Sequence, residues 1–251
     1  MIRTLLIIAI SFLFGSCHRY VKPMELQQTD SISAITEVKI ENREQPKSTK
    51  SEIAQRLDSL GFINIAEADS SILIDLAYTH ADNFTGEVLY ETLHEAYLHP
   101  LAMESLKKAN QLLKAKHPNY SLLVLDAARP MSTQKRMWNK VKGTPNNIYV
   151  ANPSKGGGMH NYGLAVDVTI VDEKGEWLPM GTPFDHFGPA AHTTHEEELV
   201  TQGIISEEER RNRRLLREVM RGGGFIPLHS EWWHFNRLRR EETIQNYQLI
   251  E

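Results

Sequence analysis

The run Leu164-Ala165-Val166-Asp167-Val168-Thr169-Ile170-Val171 sets small and β-branched residues around a single carboxylate. Its β-branching and period-two alternation predict a strand from which Asp167 projects to one face of a sheet. Immediately before it, Gly158-Met159-His160-Asn161-Tyr162-Gly163 is a glycine-bounded turn with one imidazole, so His160 and Asp167 can face a common site. A turn-rich stretch, residues 143–158, leads into this segment.

Downstream, residues 207–221 predict a long helix that stops at Gly222, Gly223 and Gly224. Phe225 and Ile226 then lead to an aromatic final strand at residues 232–235. Upstream, Leu101, Leu106, Ala109, Leu112 and Leu113 recur at helical spacing over residues 100–116, with Pro100 suited to the first turn. Residues 122–125 read as a short buried strand ending at Asp126, and Ser132, after Pro130, is placed to cap a helix running through Trp138. Residues 51–60 look helical and 72–77 strand-like. Strands scattered among helices without regular βαβ spacing predict an α+β fold: a single domain over residues 51–251, with a small, mostly antiparallel sheet flanked by helices.

The 251 residues are 41% hydrophobic, enough for one core, and a net charge of −4 offers no basic field for phosphate backbones. Nucleic acid is thus not an expected partner, and a small substrate fits the balance better. The one cysteine, Cys17, excludes both an internal disulfide framework and a cysteine-based metal site. Any metal must sit on His and carboxylates. Nothing in the sequence points to a particular oligomeric state.

Residues 1–17 have the order of an export signal: Arg3, an apolar run over 5–14 too short to span a bilayer, then Gly15, Ser16 and Cys17. The end resembles a bacterial lipoprotein processing site, although Phe14 stands where such sites usually carry Leu; an ordinary cleaved signal is the alternative. Residues 18–50 are rich in Gln, Lys, Glu, Ser and Thr and read as a solvated tether, with an end-to-end distance of roughly 30 Å. The expectation is an exported protein, periplasmic or at the cell surface, attached to a membrane through lipid on Cys17.

A second reactive cluster, Glu231-Trp232-Trp233-His234-Phe235, sets a carboxylate and an imidazole among apolar rings that exclude water. Joined to the first, it yields two imidazoles and one carboxylate, a donor set that suits one Zn²⁺ ion with an open position. Glu231 is then a spare acid matched to a general-base role, and hydrolysis follows. The alternative is that His160 only hydrogen-bonds within its loop and Glu231 with His234 is a buried structural pair.

These segments resemble the signature of the D-alanyl-D-alanine dipeptidase family: Ser-x-His-x-x-Gly-x-Ala-x-Asp followed by Glu-x-x-His. His160, Gly163, Ala165, Asp167, Glu231 and His234 fall on that pattern, and Gly158 takes the place of its Ser. Further likeness lies at Tyr78, at Asn83-Phe84-Thr85-Gly86, at Asp126-Ala127-Ala128-Arg129-Pro130 and at Met180-Gly181-Thr182-Pro183-Phe184-Asp185, covering residues 63–237 in all. The resemblance implies zinc on His160, Asp167 and His234, Glu231 as general base, and Arg129 beside the scissile carbonyl. A salt bridge to Asp126 is the alternative for Arg129. A dipeptidase must also hold a free ammonium, for which Asp126 and Asp185 are candidates and Tyr78 a neighbour; either Asp could instead cap a turn.

The implied function is zinc-dependent hydrolysis of the dipeptide D-alanyl-D-alanine in cell-wall peptide metabolism. Two rivals are a D,D-carboxypeptidase acting on longer peptidoglycan peptides and a catalytically silent surface-binding lipoprotein. His192 and His195 could share a helical face but precede a Glu run and lack a third ligand, so they read as surface or rim. Residues 210–217, basic and next to Glu207, Glu208 and Glu209, read as a solvated helix face.

Overall fold

The computed structural model describes residues 50–251; the expected export signal, Cys17 and the expected tether up to residue 49 lie outside them. In chain order the elements are α1 (Glu52–Ser59), β1 (Ile63–Asn64), α2 (Ile65–Ala68), β2 (Leu73–Ile74), β3 (Tyr97–Leu98), α3 (Pro100–Lys116), β4 (Ser121–Asp126), α4 (Met131–Val141), β5 (Ala165–Val171), α5 (Glu196–Thr201), α6 (Glu207–Gly223), β6 (Ile226–Pro227), β7 (His234–Asn236) and α7 (Arg240–Asn246), with short 3₁₀ turns between them. The fold is α+β, as its irregular alternation of elements predicts.

The main sheet has the order β2-β4-β5-β7-β6; only β2 and β4 run parallel. The run beginning at Leu164 forms its centre: all seven residues of β5 are buried. Register then aligns three polar side chains across the sheet. Asp126 of β4 pairs with Asp167 of β5, and Asp167 pairs with His234 of β7. The β4–β5 ladder shifts between Val124 and Asp126, an irregularity of the kind that re-aims a side chain at a strand end.

The helices α3 and α6 pack on each other, α3 against β4 and α6 against β6. Their approach is close because α6 ends in glycine: a Cβ on Gly223 would lie 2.5 Å from the Ser105 carbonyl oxygen and 2.9 Å from Ala109 Cβ. Gly224, at φ +103°, then turns the chain out of the helix. Ser206 and Glu209 form the reciprocal cap at the other end.

Three expectations are corrected. Residues 72–77 hold only two residues of strand, because the chain turns into a 3₁₀ segment at Ala77–Thr79. Ser132 does not cap α4; Pro130 precedes the helix and no side chain caps it. The basic stretch of α6 is not uniformly solvated, since Arg213 is fully buried and donates to the carbonyls of Met180 (2.6 Å) and Ala190 (2.9 Å). Arg217 forms a two-pronged pair with the buried Glu196. These arginines hold the long loop between β5 and α5 onto the body of the domain.

Candidate metal centre and substrate cavity

The strand register brings the two halves of the site together. Asp167 and His234 are cross-strand neighbours, and His160 reaches them from a 3₁₀ turn at Met159–Tyr162 that precedes β5. Gly163 makes that approach possible: at φ +63° it reverses the chain, and a Cβ there would lie 2.3 Å from the Phe62 ring. Asn161, fully buried, fastens the turn by donating from Nδ2 to the Arg129 carbonyl and accepting from the Gly158 backbone N–H, each at 2.8 Å.

Three acceptor atoms converge. His160 Nε2 lies 3.1 Å from His234 Nδ1 and 3.3 Å from Asp167 Oδ1, and His234 Nδ1 lies 2.9 Å from Asp167 Oδ1. The outer ring nitrogens are otherwise engaged. His160 Nδ1–H donates to the Ala127 carbonyl and His234 Nε2–H to Asn236 Oδ1, both at 2.8 Å. Those bonds fix the tautomers and leave a lone pair on each inner nitrogen, the arrangement found behind metal-ligating histidines. Two lone pairs and a carboxylate at this spacing repel one another unless a cation lies among them. Donors tetrahedrally arranged at zinc distances are separated by roughly 3.3 Å, so the set fits one such ion. Without a cation, protons on the inner nitrogens take its place: burial works to raise the Asp167 carboxyl, but His160 and His234 as proton-bearing donors outweigh it and hold it well below the usual carboxylate range.

The centre opens into a cavity of about 280 Å³ lined by Tyr78, Arg129, Asp185, Glu231, Trp233 and Arg240 among others, near the lower end of the roughly 300–1,000 Å³ usual for small-molecule sites. The Glu231 carboxylate has no hydrogen-bond partner among the described residues, and burial pushes its pKa up to about 7. A carboxyl in that range can exchange a proton near neutrality.

Arg129 both lines the cavity and forms the salt bridge to Asp126, so the two readings of this residue coexist. Its Nε donates to Asp126 Oδ2 at 2.9 Å and its Nη1 to Gln134 Oε1 at 2.9 Å, while Tyr90 donates to Asp126 Oδ1 at 2.6 Å. Asp126 is wholly buried behind Arg129. The candidate ammonium role for Asp126 is therefore corrected: its carboxylate is consumed by Arg129 and Tyr90 and does not reach the cavity wall. Asp185 does line the cavity; it sits at φ +59° and accepts from Tyr78 O–H, 3.1 Å from each carboxylate oxygen. Burial and the charge of Asp167 push its pKa up to about 8. The Tyr78 ring in turn lies under the Arg129 guanidinium, 5.4 Å from its centroid.

Some supporting residues carry no signal in the sequence. Tyr90 acts through a contact with a distant segment, Gln134 and Asn236 are near neighbours of Arg129 and His234 whose side-chain directions no local pattern reveals, and the Ala127 carbonyl is backbone. Asn161 alone could have been suspected, as a polar residue inside the glycine-bounded turn. His192 and His195 stay outside the centre: His192 lies 3.5 Å from the Tyr149 hydroxyl, and His195 is exposed ahead of α5. Among the described residues, His160, Asp167 and His234 are the one group able to hold a metal ion.

The sequence model of a family described as D-ala-D-ala dipeptidase matches residues 58–249. A D-alanyl-D-alanine dipeptidase of Escherichia coli (strain K12) is 33% identical over 178 residues, 71% of this chain and 85% of that protein. One from Enterococcus faecium is 31% identical over 208 residues, 74% of this chain and 95% of that protein. One from Enterococcus faecalis is 30% identical over 196 residues, 70% and 90% respectively.

Proposed function

The chain belongs to the D-ala-D-ala dipeptidase family, and from that premise we propose how its residues divide the work of the reaction. It is a metallopeptidase that hydrolyses D-alanyl-D-alanine to two D-alanines, a step in cell-wall peptide metabolism. The observation that carries the division of labour is the convergence of three acceptors, His160 Nε2, Asp167 Oδ1 and His234 Nδ1, in a cavity that also contains the unpaired Glu231.

His160, Asp167 and His234 would hold one Zn²⁺ ion. When bound, the ion supplies Lewis acidity toward the scissile carbonyl and the attacking water. Glu231 takes the proton of that water and returns it to the departing amine, a role supported by a pKa raised by burial to about 7. Arg129 faces the oxygen of the scissile carbonyl; its positive charge favours the tetrahedral state over the planar ground state. It is suited to this because Asp126 and Gln134 fix its guanidinium before substrate arrives. Asp185, with the Tyr78 hydroxyl against it, receives the ammonium of the substrate. The rings of Phe84, Phe187 and Trp233 shield these charges from water.

A free ammonium is central to this reading, and it separates the dipeptidase from a carboxypeptidase acting on longer peptides. Export and lipid attachment at Cys17 belong to the same proposal, supported by the Arg3, apolar-run and Gly15-Ser16-Cys17 order of the leader. The test is hydrolysis by the zinc-loaded full chain of D-Ala-D-Ala, L-Ala-L-Ala and N-acetyl-D-Ala-D-Ala. Cleavage confined to the free D,D-dipeptide is expected. Preference for the acetylated compound would transfer the protein to the carboxypeptidase reading, and zinc binding without cleavage to the silent lipoprotein.

A further inference from the structure

The dipeptide brings two charges to the cavity, and only its ammonium has so far been given a partner. Its C-terminal carboxylate needs a donor, because a buried anion without one is strongly disfavoured. The family pattern has a hydroxyl at position 158, and this chain has Gly158 there. The space beside Gly158 is also taken: a Cβ on it would lie 3.2 Å from Ala151 Cβ.

Arg240, the first residue of α7, lines the same cavity. Its Nη1 donates to the Gly157 carbonyl and its Nη2 to the Lys155 carbonyl, each at 2.6 Å. The loop can present both carbonyls because Gly156 (φ +84°) and Gly157 (φ +62°) lie in the left-handed region, and a Cβ on Gly157 would collide with Asn161 Oδ1 at 2.3 Å. A guanidinium has five N–H donors, so two neutral carbonyls leave both free donors and its charge unspent. The contrast with Arg129 is direct. Arg129 already has a carboxylate partner in Asp126, whereas among the described residues no carboxylate pairs with Arg240.

We propose that Arg240, braced on the Lys155-Gly156-Gly157 loop beside Gly158, binds the C-terminal carboxylate of the dipeptide. This rests on the dipeptidase reading above and makes the cavity selective for a zwitterion, with Asp185 for the ammonium and Arg240 for the carboxylate. A purely structural Arg240 would staple the loop and show no preference for the charge of the substrate's C-terminus.

The experiment compares D-Ala-D-Ala with its C-terminal amide on the zinc-loaded full chain, in the parent, in Arg240→Gln and in Arg240→Lys. In the parent, kcat/KM for the acid exceeds that for the amide by on the order of ten- to a hundredfold, the loss expected for one charge-assisted hydrogen bond. In Arg240→Gln that ratio falls toward one, mainly through KM for the acid, and in Arg240→Lys much of it returns. A ratio in Arg240→Gln equal to the parent's, whatever the overall rate, overturns the proposal, and so does a parent with no preference for the acid. A parent that cuts neither compound instead refutes the dipeptidase reading and is recognised before any variant is made.

Discussion

Glu231 and Asp185 are the two cavity carboxylates outside the metal set, and burial holds both in a protonation range unusual for their type. Glu231 is raised from 4.5 to about 7 and Asp185 from 3.8 to about 8. In metal-free protein the folded chain therefore keeps protons that the unfolded chain releases. The resulting stability is complete below about pH 4 and is lost as pH rises through 7 and 8. Thermal melts of metal-free protein are thus expected to fall in temperature between pH 5 and pH 8, and those of Glu231→Gln to fall less steeply; parallel curves would show that burial of Glu231 has no such effect. A bound cation acts in the opposite sense, favouring both carboxylates as anions and moving the acid limb of kcat/KM below pH 7. At this scale the sequence was informative where identity and spacing suffice: His160, Asp167, Glu231 and His234 are all on the cavity. It was not informative for Asp126. A carboxylate three residues before Arg129 is visible in the sequence, but the ladder shift after Val124 that places it behind the guanidinium is not.

Long elements with complete apolar periodicity were legible, and short ones set by tertiary contact were not. The helix α3 has the residues its leucine spacing predicts, and β5 falls within the run that its alternation marks. The edge strand β2 is shorter than its apolar run, since Leu76 leads directly into a 3₁₀ turn that delivers Tyr78 to the cavity. The burial of Arg213 was illegible for another reason: a guanidinium among charged neighbours on α6 looks solvated until the 180–192 loop supplies carbonyls to it. The triple glycine at the end of α6 signals only a stop in the sequence, whereas Gly223 is also the contact point with α3. Gly223→Ala is expected to destabilise the protein by about 1–3 kcal/mol through overpacking against Ser105 and Ala109. The residue is remote from the chemistry, so kcat/KM should be unchanged below the melting range; urea unfolding that matches the parent would mean that α3 and α6 separate without cost.

For the molecule as a whole, sheet order does most to create the site. Placing β5 between β4 and β7 aligns Asp126, Asp167 and His234 in one row, so the carboxylate behind Arg129 and two of the three proposed metal ligands arise from neighbouring strands. That order joins segments more than a hundred residues apart, which local patterns cannot reveal; the resemblance to the family supplied it indirectly, by setting the two motifs in one site. The leader adds a prediction at the same scale: Cys17→Ser removes the proposed lipid attachment and should move the protein from the membrane pellet to the soluble fraction, while equal pelleting of parent and variant would exclude that anchor. The central claim is that Glu231 moves the proton in a reaction at one ion held by His160, Asp167 and His234. Its most direct test is kcat on D-Ala-D-Ala for zinc-loaded parent and Glu231→Gln, with metal content measured on the same samples. Expected is a loss of on the order of 10²–10⁴-fold with one zinc per chain in both; turnover by Glu231→Gln at the parent rate, with its zinc retained, would contradict it.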